Sequence, residues 1–218
     1  GFNTLPIRAL GEALGYKVSY DAQRKIIDLE KPDRYDVAMR NVESCVLVRV
    51  YNETNVMWHG SGVIYNDYII TNAHVLDKGT RYTIEYHYAP GEVKVERIKL
   101  NTRLDIGLLK VPYESKSVTI GNSQKMRIGD EVVLISSPNG QKNTVTSGII
   151  SAIRPMPYSV GGHDEFQTTA NARGGSSGGG LFNIKGELIG IACRGFEDEN
   201  MSYAIPISPI LGEIKRNK

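Results

Sequence analysis

Three side chains in this sequence have the types and the order needed for nucleophilic chemistry. Ser177 lies in Asn171-Ala172-Arg173-Gly174-Gly175-Ser176-Ser177-Gly178-Gly179-Gly180-Leu181-Phe182, His74 in Ile69-Ile70-Thr71-Asn72-Ala73-His74-Val75-Leu76, and Asp105 in Leu104-Asp105-Ile106-Gly107-Leu108-Leu109-Lys110-Val111. A serine hydroxyl is a poor nucleophile at neutral pH, so a base must take its proton during attack. Imidazole, with an ordinary pKa of about 6.5, can do this and later return the proton to a leaving amine. Glycines packed around one serine let backbone N–H groups turn toward a developing oxyanion, because only glycine enters positive-φ geometry without steric cost. A flexible linker is the weaker reading of this cluster, since it sits between two apolar strand-like runs. Taken singly, each residue also has an ordinary structural reading: Ser177 as a loop serine, His74 as a helix-cap or core histidine, Asp105 as a turn residue.

Together, in the order His, Asp, Ser, the segments Thr71–Val75, Asp105–Val111 and Gly175–Asn183 resemble the trypsin/chymotrypsin clan of serine endopeptidases, most closely its bacterial HtrA/DegP-like branch. The resemblance covers roughly residues 42 to 210 and implies a Ser177–His74–Asp105 triad. It also implies an oxyanion hole from the N–H groups of Gly175 and Ser177, and hydrolysis of peptide bonds through an acyl-enzyme without a cofactor or a metal. The family motif places the primary pocket at Asn171 and Ala172 with Met201 facing it, and makes Cys193-Arg194-Gly195 the strand that pairs with substrate. No carboxylate is expected at that pocket, so small or medium aliphatic residues are expected before the cut. Two departures stand out: Ser176 replaces the family's Asn or Asp before the nucleophile, and Gly180 replaces its Pro. A neutral Ser176 cannot form the ion pair that activates trypsin-like zymogens, so activity is expected without cleavage at Arg40-Asn41. The alternative is a catalytically impaired protease fold kept as a binding or surface-anchoring module.

The elements that must hold these residues read as an all-β fold of two six-stranded antiparallel barrels of the chymotrypsin type with a C-terminal helix. Strands are expected at Cys45–Tyr51, Val56–Tyr65, Tyr68–Thr71, Arg81–Tyr88, Lys94–Leu100 and Ile106–Val111, completing the first barrel. A second set is expected at Ile128–Ile135, Asn143–Ile153, Glu165–Thr169, Leu188–Cys193 and Met201–Pro206 around the nucleophile loop. The catalytic domain is thus expected at 42–218, with the N-barrel at about 42–115, the C-barrel at about 118–206 and the helix at about 208–215. In Gly60-x-Gly62 the glycines let backbone pass beside His74, and Asn72 is read as the cap of a single helical turn. His59, His87 and His163 are read as surface residues. No PDZ-like sequence follows the helix, so control by such a domain is not expected of this chain.

Residues 1–30 look different. Leu5–Gly15 reads as a helix with Pro6 in its first turn and Gly15 as its stop, followed by strands at Tyr16–Tyr20 and Lys25–Leu29. The pattern resembles about half of the stalk domain first named in copper amine oxidases, without a copper site, and residues 31–41 read as a linker. Such modules are common on secreted bacterial proteins, which implies an extracellular or cell-surface location and a surface for self-association. At 218 residues, 40% hydrophobic and 23% charged, the chain is globular, and a net charge of +2 gives no argument for a nucleic-acid partner. No apolar run is long enough to span a membrane, and no leader opens the chain, so the expectation is a cytoplasmic protein or one whose leader was removed. Cys45 and Cys193 match no metal spacing and are read as two free, buried thiols, Cys193 unreactive beside Asp105. The expected partner is a protein or peptide substrate.

Overall fold

The computed structural model describes residues 7–13, 16–53, 55–155, 162–196 and 201–216. It opens with helix α1 (Ile7–Ala13) and the hairpin β1 (Lys17–Asp21) and β2 (Ile26–Glu30), paired antiparallel. The expected helix start at Pro6 and stop at Gly15 lie outside the described residues. The stretch read as a linker carries a helix, α2 (Arg34–Asn41). Its reason is local: Asp33 accepts from the Asp36 N–H at 2.9 Å while Asp36 accepts from the Asp33 N–H at 3.2 Å, a reciprocal capping box that polar composition had masked. Val37 on this helix is buried against the core of the following lobes.

The N-terminal lobe comprises β3 (Cys45–Asn52), β4 (Asn55–Tyr65), β5 (Tyr68–Thr71), the single-turn helix α3 (Ala73–Leu76), β6 (Arg81–Tyr86), β7 (Val93–Val95), β8 (Arg97–Asn101) and β9 (Ile106–Lys110). Among the described residues it forms a seven-stranded antiparallel sheet in the order β7-β6-β3-β4-β5-β9-β8. The expected count was six. The expected strand Lys94–Leu100 divides at Glu96, so that β7 pairs with β6 and β8 pairs with β9, while the Glu96 carbonyl accepts from the Lys110 N–H at 2.9 Å. The C-terminal lobe is a closed six-stranded barrel of β10 (Glu131–Ser136), β11 (Thr144–Pro155), β12 (Asp164–Thr168), β13 (Gly180–Asn183), β14 (Leu188–Phe196) and β15 (Met201–Pro206), followed by helix α4 (Ile207–Lys215). The two-lobed β fold with its closing helix is the one expected.

Strand periodicity explains where the core lies. On β3, Val46, Val48 and Val50 face the interior of the N-terminal lobe; on β10, Val132 and Leu134 face the barrel interior. The alternate residues Val133 and Ile135 instead join Cys45, Val63, Ile70, Phe182 and Ile191 in a third cluster between the lobes. Ile207, Ile210 and Ile214 of α4, on one helical face, complete it. β10 is therefore buried on both faces, which is why it reads as a continuous apolar run. Asn143, just before β11, stitches this seam: its amide donates to the Val42 carbonyl at 2.8 Å and the Cys45 carbonyl at 2.9 Å.

Asn143→Ala should therefore remove two buried bonds, although the Val42 carbonyl keeps the Cys45 N–H, and lower unfolding free energy by about 2 kcal/mol. Its backbone, at φ 51°, adds strain for any β-carbon residue other than Asn or Asp. Urea unfolding of the variant beside the native chain measures this, and a loss under about 1 kcal/mol would show the seam does not depend on Asn143.

Candidate active site

The site forms where the lobes meet, and the N-terminal lobe supplies a histidine and an aspartate. Asn72 occupies the N-cap position of α3 but gives no cap bond; its amide donates instead to the Asp105 carbonyl at 3.1 Å. Asp105 ends the turn before β9 with φ 52°, the left-handed region that Asp tolerates better than most residues. In that conformation both carboxylate oxygens reach His74. The His74 backbone N–H donates to Oδ1 at 2.9 Å, and Nδ1 lies 2.8 Å from Oδ2. Position and orientation of the imidazole are thus tied to one carboxylate.

The C-terminal lobe supplies the nucleophile loop, which carries three internal bonds besides those to neighbouring segments. Ser176 N–H donates to the Arg173 carbonyl at 2.8 Å, Arg173 N–H donates to Ser176 Oγ at 3.0 Å, and Gly179 N–H donates to the Ser176 carbonyl at 2.9 Å. Gly175 has φ 94° and Gly178 φ 90°. The N–H groups of Gly175 and Ser177 give no hydrogen bond among the described residues. Ser177 Oγ donates to the Cys193 carbonyl at 3.3 Å and makes no bond to His74, although both line one cleft of about 400 Å³.

Ser61, the residue between the two glycines of Gly60-x-Gly62, joins the lobes. Its N–H donates to the Ser177 carbonyl at 2.7 Å, its hydroxyl donates to the Gly175 carbonyl at 2.8 Å and accepts from the Ser137 N–H at 2.7 Å. Its own carbonyl accepts from Thr71 Oγ1 at 2.7 Å. A β-carbon on Gly178 would fall 1.9 Å from that carbonyl oxygen, so the contact admits glycine alone. Gly180, which stands where the family has Pro, begins β13, and its β-carbon would meet the Phe182 ring at 2.6 Å.

The residues expected to bind substrate come from the stretch before Ser177 and from β14 and β15. Ala172 is buried and its N–H donates to Ser202 Oγ at 2.8 Å; Asn171 is half-buried and its carbonyl accepts from Thr146 at 3.0 Å. Met201 is half-buried, with its sulfur 3.3 Å from Gln167 Nε2, rather than turned into the barrel core. Gly195 is exposed, and a β-carbon there would collide with the Ala172 carbonyl at 2.1 Å. Cys45 and Cys193 are free and buried, and burial pushes both thiols well above the ordinary range.

Sequence reading missed two features here. Glu165, only 4% exposed, grips the Arg194 guanidinium with both carboxylate oxygens, and that guanidinium lies 4.3 Å from the Tyr203 ring centroid. No local signal marked this pair, because Arg194 stands on β14, separated from β12 by β15. The second is His59, expected at the surface. It lines the cleft with His74 and Ser177, with Nε2 buried and unpartnered among the described residues. His87 likewise keeps a buried, unpartnered Nδ1, in a pocket with Tyr86 and Tyr113.

This two-lobed β fold, with histidine, aspartate and a glycine-cradled serine at the seam, defines the class of trypsin-like serine proteases. A model of the trypsin-like peptidase domain matches residues 60–191, and the chain belongs to that family. It is 34% identical over 178 residues to a probable periplasmic serine endoprotease DegP-like of Buchnera aphidicola subsp. Baizongia pistaciae, covering 73% of this chain and 38% of that relative. It is 35% identical over 176 residues to the periplasmic pH-dependent serine endoprotease DegQ of Escherichia coli K12, covering 72% and 38%. The chain thus spans under two-fifths of the length of these curated relatives. Among solved structures, the serine endoprotease from Yersinia pestis superposes with a TM-score of 0.75 at 28% identity, covering 85% of this chain and 66% of that one. The HtrA-type protease AlgW with tripeptide gives 0.78 at 26% identity, covering 84% and 63%.

Ser61→Ala should cost about 2 kcal/mol of unfolding free energy, because it strands the Gly175 carbonyl and the Ser137 N–H together. Urea denaturation checks this, and a Ser61→Ala chain as stable as the native one would remove Ser61 from the seam's support.

Proposed function

We propose that this domain, residues 42–218, hydrolyses peptide bonds of proteins through Ser177, His74 and Asp105. The observation that carries the reading is the double grip of Asp105 on His74 in a cleft shared with Ser177. As Ser177 Oγ attacks the scissile carbonyl, its proton passes to His74 Nε2 while Asp105 stabilises the imidazolium at Nδ1. The oxyanion takes the unengaged N–H groups of Gly175 and Ser177, each contributing about 3 kcal/mol. Collapse breaks the C–N bond, and the amine leaves with the proton from His74. Water then attacks the acyl-enzyme by the same route.

Among the described residues the acyl-side pocket of Asn171, Ala172 and Met201 shows no unpaired carboxylate, since Glu165 is neutralised by Arg194; Val, Ala, Leu or Met before the cut fits it best. Backbone of Cys193, Arg194 and Gly195 then pairs with the substrate strand. Activity needs no cut at Arg40-Asn41: that bond lies in α2, where Asn41 is buried and donates to the Val37 and Gly186 carbonyls at 3.0 Å. The relatives' periplasmic names and the exposed Tyr20, Ile26, Ile27 and Leu29 of the N-terminal hairpin favour work outside the cytoplasm, with 1–30 as an attachment or self-association segment joined through 31–41.

The second reading, an impaired fold kept for binding, is favoured by the bond from Ser177 to the Cys193 carbonyl. A fluorophosphonate separates the two. The native chain should label stoichiometrically and Ser177→Ala not at all, with its stability within about 0.5 kcal/mol of native. An unlabelled native chain supports the binding module, and a Ser177→Ala chain that still digests an unfolded protein at the native rate removes Ser177 as nucleophile.

Cleavage profiling of a mixed peptide library by mass spectrometry reads the acyl-side preference. Small and medium aliphatic residues should dominate, and a dominant Arg, Lys or Phe would refute the pocket assignment.

A further inference from the structure

The edge strands of the N-terminal lobe, β7 and β8, part at Glu96, and a hollow of about 760 Å³ opens there against residues 79–82. It is separate from the cleft at Ser177 but begins next to it in the chain: Lys78 walls the cleft and Gly79 walls the hollow. Three cations line the hollow, Arg81 from β6, Lys94 from β7 and Arg97 from β8, and Lys78 stands at the approach from the cleft. Among the described residues none of the four has a carboxylate partner, whereas Arg49, Lys99 and Arg194 each hold one. The acids nearby do not cancel this charge. Glu96 in the hollow and Asp77 in the cleft form no ion pair among the described residues, and Glu92, within electrostatic reach of Arg81, is engaged by Arg49, Tyr51 and Thr83.

Both guanidiniums are held in place. Arg81 lies 3.6 Å from the Tyr51 ring centroid. Arg97 lies 5.6 Å from that of Tyr82 and donates to the Tyr82 hydroxyl at 2.8 Å, while this hydroxyl donates to the Leu76 and Gly79 carbonyls at 3.0 and 2.6 Å. A guanidinium anchored on an aromatic residue keeps its remaining N–H groups for an anion and loses less freedom on binding one. Cations gathered in one concavity without matching carboxylates raise the local positive potential, which favours an anionic ligand.

We propose that this hollow is an exosite for an acidic stretch of the protein substrate, carrying Asp or Glu several residues away from the cut bond along the polypeptide that passes Lys78. The inference rests on the peptidase reading above. Continuity of the cleft wall with the hollow favours a segment of the substrate over a free polyanion. Each surface ion pair is weak and screened by salt, so the exosite acts through several at once. It holds the substrate equally before and during reaction, and therefore lowers KM and leaves kcat alone.

The test uses two synthetic peptides with one cleavable aliphatic core, one ending in a run of Glu and the other in a run of Gln. For the native chain the Glu peptide should have a KM lower by about ten-fold at a similar kcat, an advantage that about 0.5 M sodium chloride removes. Replacing Arg81, Lys94 and Arg97 together by Gln should reduce the advantage to under about two-fold, whereas Lys125→Gln with Lys185→Gln, charges removed from the other lobe, should keep it. Equal KM values for the native chain, or equal losses in both sets of variants, overturn the proposal. Lys94→Glu, at an exposed strand residue that makes no side-chain bond among the described residues, decides the matter if the triple variant fails to fold. Fluorescence anisotropy of the labelled Glu peptide on the native chain separates the two levels. A chain that binds it through the three cations but neither cleaves nor labels with fluorophosphonate loses the peptidase reading and keeps an acidic-peptide site. A chain that cleaves without binding it more tightly than the Gln peptide loses the exosite alone. Binding of inorganic polyphosphate but not of the Glu peptide would make the hollow a site for phosphate polymers and overturn the assignment to substrate.

Discussion

Ser61 is the contact on which the geometry of the site depends. It belongs to β4 of one lobe, yet its N–H and hydroxyl bond two consecutive parts of the nucleophile loop in the other, the Ser177 and Gly175 carbonyls. Its hydroxyl also accepts from Ser137 at the end of β10. Three loose pieces of backbone are thereby fixed to one strand. With the Gly175 and Ser177 carbonyls held, the N–H groups of the same short stretch remain unengaged. A catalytic loop that spent those donors on its own structure could not offer them to substrate. The close approach needed for these bonds explains Gly178, whose missing side chain lets the loop pass over the Ser61 carbonyl.

The other half of the arrangement is set within the N-terminal lobe. Thr71 ends β5 and donates to the Ser61 carbonyl, so the strand leading to His74 is anchored to the residue that anchors Ser177. Gly60 completes the link: a β-carbon there would meet Val75 at 2.7 Å and the Ser177 carbonyl at 3.1 Å. Asp105 arrives from β9 and is oriented by Asn72 from the neighbouring turn. The three candidate side chains therefore share a frame of β4, β5 and β9, strands that are adjacent in one sheet. Sheet register brings His74 and Asp105 together and their two bonds fix them, whereas Ser177 is held by the contacts of its loop with β4.

The sequence made much of this legible, because chemistry constrains residue type and glycine constrains backbone. His74, Asp105 and the Gly-rich serine loop stand out as residues, and the short apolar strands at regular spacing announce the barrels. What stayed hidden was long-range or locally ambiguous. The Gly60-x-Gly62 reading assigned roles to the glycines and none to Ser61, because a lone serine carries no mark of four bonds to distant segments. α2 was hidden by Pro32 and a charged composition, although Asp33 and Asp36 at capping-box spacing were readable. Glu96 divides a strand that periodicity alone leaves intact. His59 looked exposed because alternation along β4 says which face a side chain takes, not what the opposite lobe brings against that face.

Ser176 shows why the seam must carry so much. In trypsin-like zymogens the residue before the nucleophile is an anion, and burying it against a new amine settles the loop. Here a neutral hydroxyl fills that place, 1% exposed, accepting from the Arg173 N–H and from Ser136 Oγ at 3.1 Å. These are ordinary bonds without a charge, so they supply less restraint than a buried ion pair broken on one side would demand. The same loop lacks the Pro that would limit its backbone after the nucleophile, and Gly180 instead gains its restraint by entering β13 against the Phe182 ring. Restraint has moved from a local charge and a local ring to the contacts with β4, β10 and β13. A loop held in that way responds to the fit between lobes, and the side chains at their seam become part of the control of the site.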